Sequence, residues 1–279
     1  MPAAPSSIRL GFVHADTGTR QRLALQQYLT ENDIQCEAIA LSAADLEQGL
    51  LHGDIELGLR PLERLPLQLP DKLCITALSE RDNPADQLIY LSQTKGPLLL
   101  GLPQDARVGV PDLRAKFLLL HFRPDLKCTR LPEGFTEPAT LLENQEFEAL
   151  LLPARALPSD PSNPFSVQEL NPQEFVPKAG QGVWAFLAHT DNKSIRRWAQ
   201  QSLHRPDTAE LTNVERSVQK QLPPELQSSL GVYCRKDQNA HFHAYAVCQG
   251  ASKLQFARFS SSTTLGLAEE LVRGLVKLV

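Results

Sequence analysis

Arg107-Val108-Gly109-Val110-Pro111-Asp112-Leu113-Arg114 runs a short apolar stretch straight into a helix start. Residues 107–110 read as a strand. Pro111 is a favoured initiating residue, so a helix is expected over 112–121. The same pairing recurs upstream. Ile8 to Val13 reads as a buried strand, and a helix follows near Thr19 to Thr30, where Leu25 and Leu29 stand one turn apart. Glu37 to Leu41 is strand-like. Ser42 opens another helix with Asp45 three residues on, a weak relative of the capping box, and Leu46 and Leu50 share its inner face. Further strands are expected at 54–59, 73–78, 87–91, 147–152 and 183–188, while Pro158, Pro161 and Pro164 punctuate an irregular loop. Strands alternating with helices argue for an α/β fold with mainly parallel sheets. Two such runs suggest two similar domains with a cleft between them.

Past Lys193 the pattern changes. Ile195 and Trp198, then Leu211, Val214, Val218 and Leu222, mark two helices. Three strand-like runs follow at 232–235, 241–247 and 254–259. Caps at Ser261 to Thr264 and a stripe of Leu267, Leu271, Leu275 and Leu278 close the chain as a helix. This reads as a small α+β domain. The expected division is 1–94 with 190–208, then 95–189, then 209–279. No internal repeat of 20–50 residues stands out.

The composition excludes several classes. Among 279 residues, 28 basic against 32 acidic side chains give a formal charge of -4, which argues against nucleic acid or an anionic membrane as partner. No stretch approaches the roughly 20 apolar residues of a membrane span. The first residues lack a basic region followed by an apolar run, so no signal peptide is expected. Five cysteines, an odd number, show no CxxC or Cys/His ligand spacing, and reduced thiols in a cytoplasmic protein are expected. His241-x-His243 turns two imidazoles to one strand face, but without a third ligand they read as solvent-facing. Ser228-Ser229 with distant His189 is no hydrolase signature, and the glycine-rich phosphate motifs are absent.

Seven stretches, in order, resemble the hydroxymethylbilane synthase (porphobilinogen deaminase) family. They are Ile8-Arg9-Leu10-Gly11; Gly18-Thr19-Arg20-Gln21 with Leu23-Ala24-Leu25-Gln26; Glu80-Arg81-Asp82-Asn83-Pro84-Ala85-Asp86; and Val108-Gly109 with Leu113-Arg114. Arg123-Pro124-Asp125-Leu126, Pro177-Lys178-Ala179-Gly180-Gln181-Gly182, and Glu215-Arg216-Ser217 with Gly231-Val232-Tyr233 complete them. The resemblance implies two periplasmic-binding-protein-like α/β domains with a central cleft, plus a small C-terminal α+β domain. It also implies a chemistry. The family condenses porphobilinogen, releasing ammonia, into a linear tetrapyrrole. Its dipyrromethane primer is held by a thioether to a cysteine, an aspartate stabilises the cationic pyrrole intermediates, and arginines hold the substrate carboxylates.

Several of those positions hold the wrong residue here. The family's His-Ser-x-Lys-Asp-x-Pro, aligned on Pro66, reads Arg60-Pro61-Leu62-Glu63-Arg64-Leu65-Pro66, which puts Arg64 at the aspartate. A guanidinium repels the developing cation that a carboxylate would stabilise. Counting back from Gly231 puts Leu226 at the cofactor cysteine, with no nucleophilic atom. The second arginine of Leu-Arg-Arg is Ala115, two further anion-binding arginines become Pro132 and Pro138, and the arginine ending the strand after Gly-Gln-Gly is His189. No catalytic residue and no attached dipyrromethane are therefore expected. The surviving Arg114 and Arg20, joined by Arg60 and Arg64 and with Gly180 and Gln181, are the candidates for binding a small anionic ligand in the interdomain cleft of a monomer. An inactive binding or regulatory homologue is the favoured reading. A divergent active deaminase and a small-anion binding protein are the alternatives.

Overall fold

The computed structural model describes residues 5–13, 19–132, 138–156, 165–251 and 253–276. The chain divides into two compact units. One runs through Asp82 and resumes over Gly182–Ala209; the other spans Asn83–Gln181 and resumes at Glu210.

The first unit is an α/β layer on a five-stranded sheet of order β2-β1-β3-β10-β4. Its strands are β1 (Ser7–Val13), β2 (Gln35–Leu41), β3 (Leu57–Pro61), β4 (Leu73–Leu78) and β10 (Trp184–His189). β1 pairs in parallel with β2 and β3, whereas β10 lies antiparallel between β3 and β4. β3 is buried along its length, as a central strand covered on both faces must be. The helix Ala43–His52 starts where Ser42 caps the Asp45 N–H and ends at Gly53 in a left-handed conformation. Its Leu46 and Leu50 pack with Ile55, Leu62 and Leu187 on one side of the sheet. Leu25, Leu29, Ile195 and Trp198 close a second core on the other.

The second unit holds another five-stranded sheet, of order β7-β6-β8-β5-β9. Here β5 is Asp86–Leu91, β6 Arg107–Val110, β7 Lys127–Arg130, β8 Ala149–Pro153 and β9 Phe165–Glu169. β6 is parallel to β7 and β8, and β5 is antiparallel to β8 and β9. The same unit contains an antiparallel sheet of β11 (Gly231–Lys236), β12 (Phe242–Gln249) and β13 (Leu254–Ser261). One face of that sheet lies under the helices Pro206–Gln221 and Leu267–Val276 through Val214, Val218, Leu271 and Leu275. Its other face contributes Tyr245 and Val247 to the core built by Val108, Leu118 and Leu119.

The α/β class is as expected, with mixed rather than mainly parallel sheets. Two strands fall in other sheets than their chain position suggests. β5, assigned to the first domain by its position in the chain, belongs to the second sheet. β10, assigned to the second, completes the first. The C-terminal sheet shares a core with the second α/β layer instead of standing alone. The proline-rich loop at 158–164 lies outside the described residues.

Candidate functional site

In the second unit, three of the sequence markers meet in one buried hydrogen-bonded cluster. Asp86 opens β5 and is fully buried. Its Oδ2 accepts from Arg114 Nη1 at 2.7 Å and its Oδ1 from Gln181 Nε2 at 3.0 Å. Arg114 Nη1 also donates to the Val176 carbonyl (3.0 Å) and Gln181 Nε2 to the Pro84 carbonyl (2.9 Å). Arg114 sits in the first turn of the helix Leu113–Phe122. Asp112 caps that helix: its Oδ1 accepts the Ala115 N–H at 2.8 Å, and its Oδ2 takes Lys178 Nζ at 3.1 Å. Arg114 Nη2 lies 3.6 Å from the same oxygen.

Charges this deep survive only when paired and hydrogen-bonded. Burial alone would lower the Arg114 pKa, but Asp86 and Asp112 outweigh it and raise it. Burial alone would raise the Asp112 carboxyl; Arg114 and Lys178 instead hold it below the ordinary range.

Two more markers join from the C-terminal part. Glu215 is fully buried on the helix Pro206–Gln221. Its two oxygens accept the backbone N–H groups of Gly180 (2.7 Å) and Cys234 (2.8 Å). Gly180 has φ +80°, a conformation that side chains resist. Val232 N–H donates to the Pro177 carbonyl at 2.8 Å, and a Cβ on Gly231 would come within 2.3 Å of the Val176 carbonyl oxygen. Glycine is the residue that lets β11 approach this turn. Arg123 acts separately: it pairs with Asp125 and donates to the carbonyls of Leu99 (2.7 Å) and Pro103 (2.9 Å), tying down the loop ahead of β6.

The ligand candidates therefore divide. Arg114, Gly180 and Gln181 are interior and bonded to the protein's own groups. A signal for it was present, since Arg114 falls on the helix stripe of Ala115, Leu118 and Leu119. In the first unit, Arg60 is buried in β3, and Arg64 is exposed at the end of the single 3-10 turn Leu62–Arg64 that follows Pro61. The Arg20 side chain lies outside the described residues.

The replaced positions are equally specific. Leu226, in the short helix Pro224–Gln227, packs half-buried against the core of the three-stranded sheet. Cys234, the nearest thiol in the chain, is fully buried in β11 of that core. Ala115 is fully buried on the helix Leu113–Phe122. Pro138 begins the helix Pro138–Glu143, Pro132 is exposed, and the five residues between them lie outside the described set. His189 Nδ1 accepts the Asp191 N–H. Among the described residues no three His, Cys, Asp or Glu side chains cluster as metal ligands, and no helix is long and apolar enough to cross a membrane.

A family model described as porphobilinogen deaminase, dipyromethane cofactor binding domain, matches residues 24–197. The chain belongs to the porphobilinogen deaminase family. The porphobilinogen deaminase of Legionella pneumophila (strain Philadelphia 1) is 29% identical over 208 residues, which covers 75% of this chain and 66% of that one. That of Fusobacterium nucleatum is 27% identical over 68% of this chain and 62% of its own length. That of Phenylobacterium zucineum is 31% identical over 60% and 51%. The match thus spans between about half and two thirds of these relatives' lengths. Among solved structures, an arginine-specific periplasmic binding protein of Salmonella typhimurium aligns at 12% identity over 74% of this chain and 96% of its own, with a TM-score of 0.44.

Proposed function

We propose that this protein is a porphobilinogen deaminase-family member tied to tetrapyrrole biosynthesis that does not itself condense porphobilinogen. One observation carries the reading. The family markers in the second unit are kept where they build a buried scaffold, while the positions needed for chemistry hold Arg64 and Leu226. Condensation places positive charge on a pyrrole as ammonia leaves, and an arginine at the carboxylate position opposes that charge. The primer needs a thiolate. Leu226 has none, and the residues present do not fit a thioether at that place. We expect no covalent dipyrromethane.

The protein is then a binding or regulatory homologue. Exposed Arg64 is its outward-facing candidate for a small anionic ligand, such as a carboxylate-bearing tetrapyrrole. A ligand that binds the folded state raises the melting temperature in proportion to its occupancy. Thermal melting with linear and cyclic tetrapyrroles and with small carboxylates tests this: a rise that Arg64→Ala removes supports it, and no rise with any of them refutes it. Deaminase activity is tested by supplying porphobilinogen to the purified protein. Ammonia release with formation of a linear tetrapyrrole would overturn the proposal.

A further inference from the structure

Asp237, His243 and Ser260 form a hydrogen-bonded chain at one end of the three-stranded sheet. His243 faces Ser260 across the β12–β13 pair, and Asp237 sits in the turn joining β11 to β12. His243 Nδ1 lies 2.7 Å from Ser260 Oγ, and His243 Nε2 lies 3.0 Å from Asp237 Oδ2. The other carboxylate oxygen, Asp237 Oδ1, accepts the backbone N–H groups of Asn239 and His241, each at 2.9 Å. The turn thus fixes the carboxylate, and the carboxylate fixes the imidazole.

These partners set the direction of each proton. The His243 hydrogen bond, helped by the His241 N–H, holds the Asp237 carboxyl down at about 2, so it is an ionised acceptor at neutral pH. Its partner Nε2 must then carry the proton. In the neutral ring Nδ1 is left with a lone pair, and Ser260 Oγ–H is the donor. A hydroxyl donating to an imidazole that a carboxylate orients is the arrangement that activates a nucleophile. Access follows the same division. Ser260 is exposed, whereas the side chains of His243 and Asp237 keep only 17% and 25% of their exposure. Arg235 stands opposite His243 in the β11–β12 register, in the same row of the sheet face.

We propose that Ser260 is an activated nucleophile that takes acyl groups from small activated esters. Oγ attacks the carbonyl carbon while its proton passes to His243 Nδ1. The ester C–O bond breaks, and the leaving alcohol takes that proton. Water, deprotonated by the same nitrogen, then attacks the acyl-serine ester, releasing the carboxylic acid and restoring the hydroxyl. This activity is independent of the tetrapyrrole reading.

The test uses the full chain with p-nitrophenyl acetate and, separately, a fluorophosphonate probe. Nitrophenolate release and peptide mapping give the rate and the modified residue, and a thermal melt of each variant confirms folding. The expected result is label confined to Ser260 and a rate lost in Ser260→Ala. In His243→Gln and Asp237→Asn the rate should fall by about a hundredfold, the usual scale of general-base assistance. Label spread over other residues, or a Ser260→Ala rate equal to that of the parent, overturns the proposal. So does undiminished labelling in folded His243→Gln, which would reduce the network to a pin for the hairpin.

Discussion

The two five-stranded sheets share one plan and differ in what enters them. Each has three parallel strands in the order second, first, third, followed by one antiparallel strand and an edge strand. Each antiparallel strand reaches its sheet after the chain has crossed from the other unit. β3 and β8 both end in proline, Pro61 and Pro153, and each runs into a three-residue 3-10 turn. The crossing strands part company at their first residue. β10 enters the first unit with apolar Trp184; β5 enters the second with Asp86, whose carboxylate binds Arg114 and Gln181. The lesson is that resemblance to a family can be kept by two different pressures. In the second unit the markers pair buried charges, and a buried charge that loses one partner alone is costly. In the first, Arg64 lies exposed at the end of its turn.

That contrast predicts a graded response. Arg114→Met leaves Asp86 buried with one cationic partner gone and should cost about 3–5 kcal/mol of stability, read as a large fall in denaturation midpoint. A loss under about 1 kcal/mol would mean that the cluster is not what holds the second unit. Asp112→Asn keeps a good helix cap and removes only the charge, so its effect is smaller and depends on pH. The folded Asp112 pKa is depressed, so its contribution is complete above the ordinary aspartate range and is lost as pH falls through the lower folded value. Wild type and Asp112→Asn should therefore differ most at neutral pH and converge in acid; a constant gap across the acid limb would break the assignment. The smallest effect belongs to the first unit. Arg64→Asp, at an exposed position, should change stability by no more than about 1 kcal/mol and restore no condensation, because Leu226 still offers no attachment point. Turnover by that single variant would show that a primer is held elsewhere.

Much of the local structure was legible in the sequence. β4 and β6 fall where their apolar runs end, and the Ser42 cap forms with Asp45. β7 and β9 were not legible. Lys127-Cys128-Thr129-Arg130 and Phe165-Ser166-Val167-Gln168-Glu169 are edge strands with no buried residue, so no apolar run announces them. The sheets that β5 and β10 join were hidden for a related reason. β5 and β10 are apolar runs that suit either sheet, and a strand's choice of partner across the chain is not written in its periodicity. At the site, Arg114 and Gln181 were recognisable as family markers, but not as each other's neighbours around Asp86. The Asp237–His243–Ser260 chain was not legible: His243 reads with His241 as solvent-facing, and Ser260 lies 17 residues on, brought close only by β12–β13 register.

The central claim is that the scaffold has been kept and the condensation chemistry lost. Intact-mass measurement of the purified protein, before and after incubation with porphobilinogen, tests it most directly. The account predicts the mass of the sequence alone in both samples, with no linear tetrapyrrole in solution. A mass raised by a covalent dipyrromethane, or by successive pyrrole additions, would contradict it.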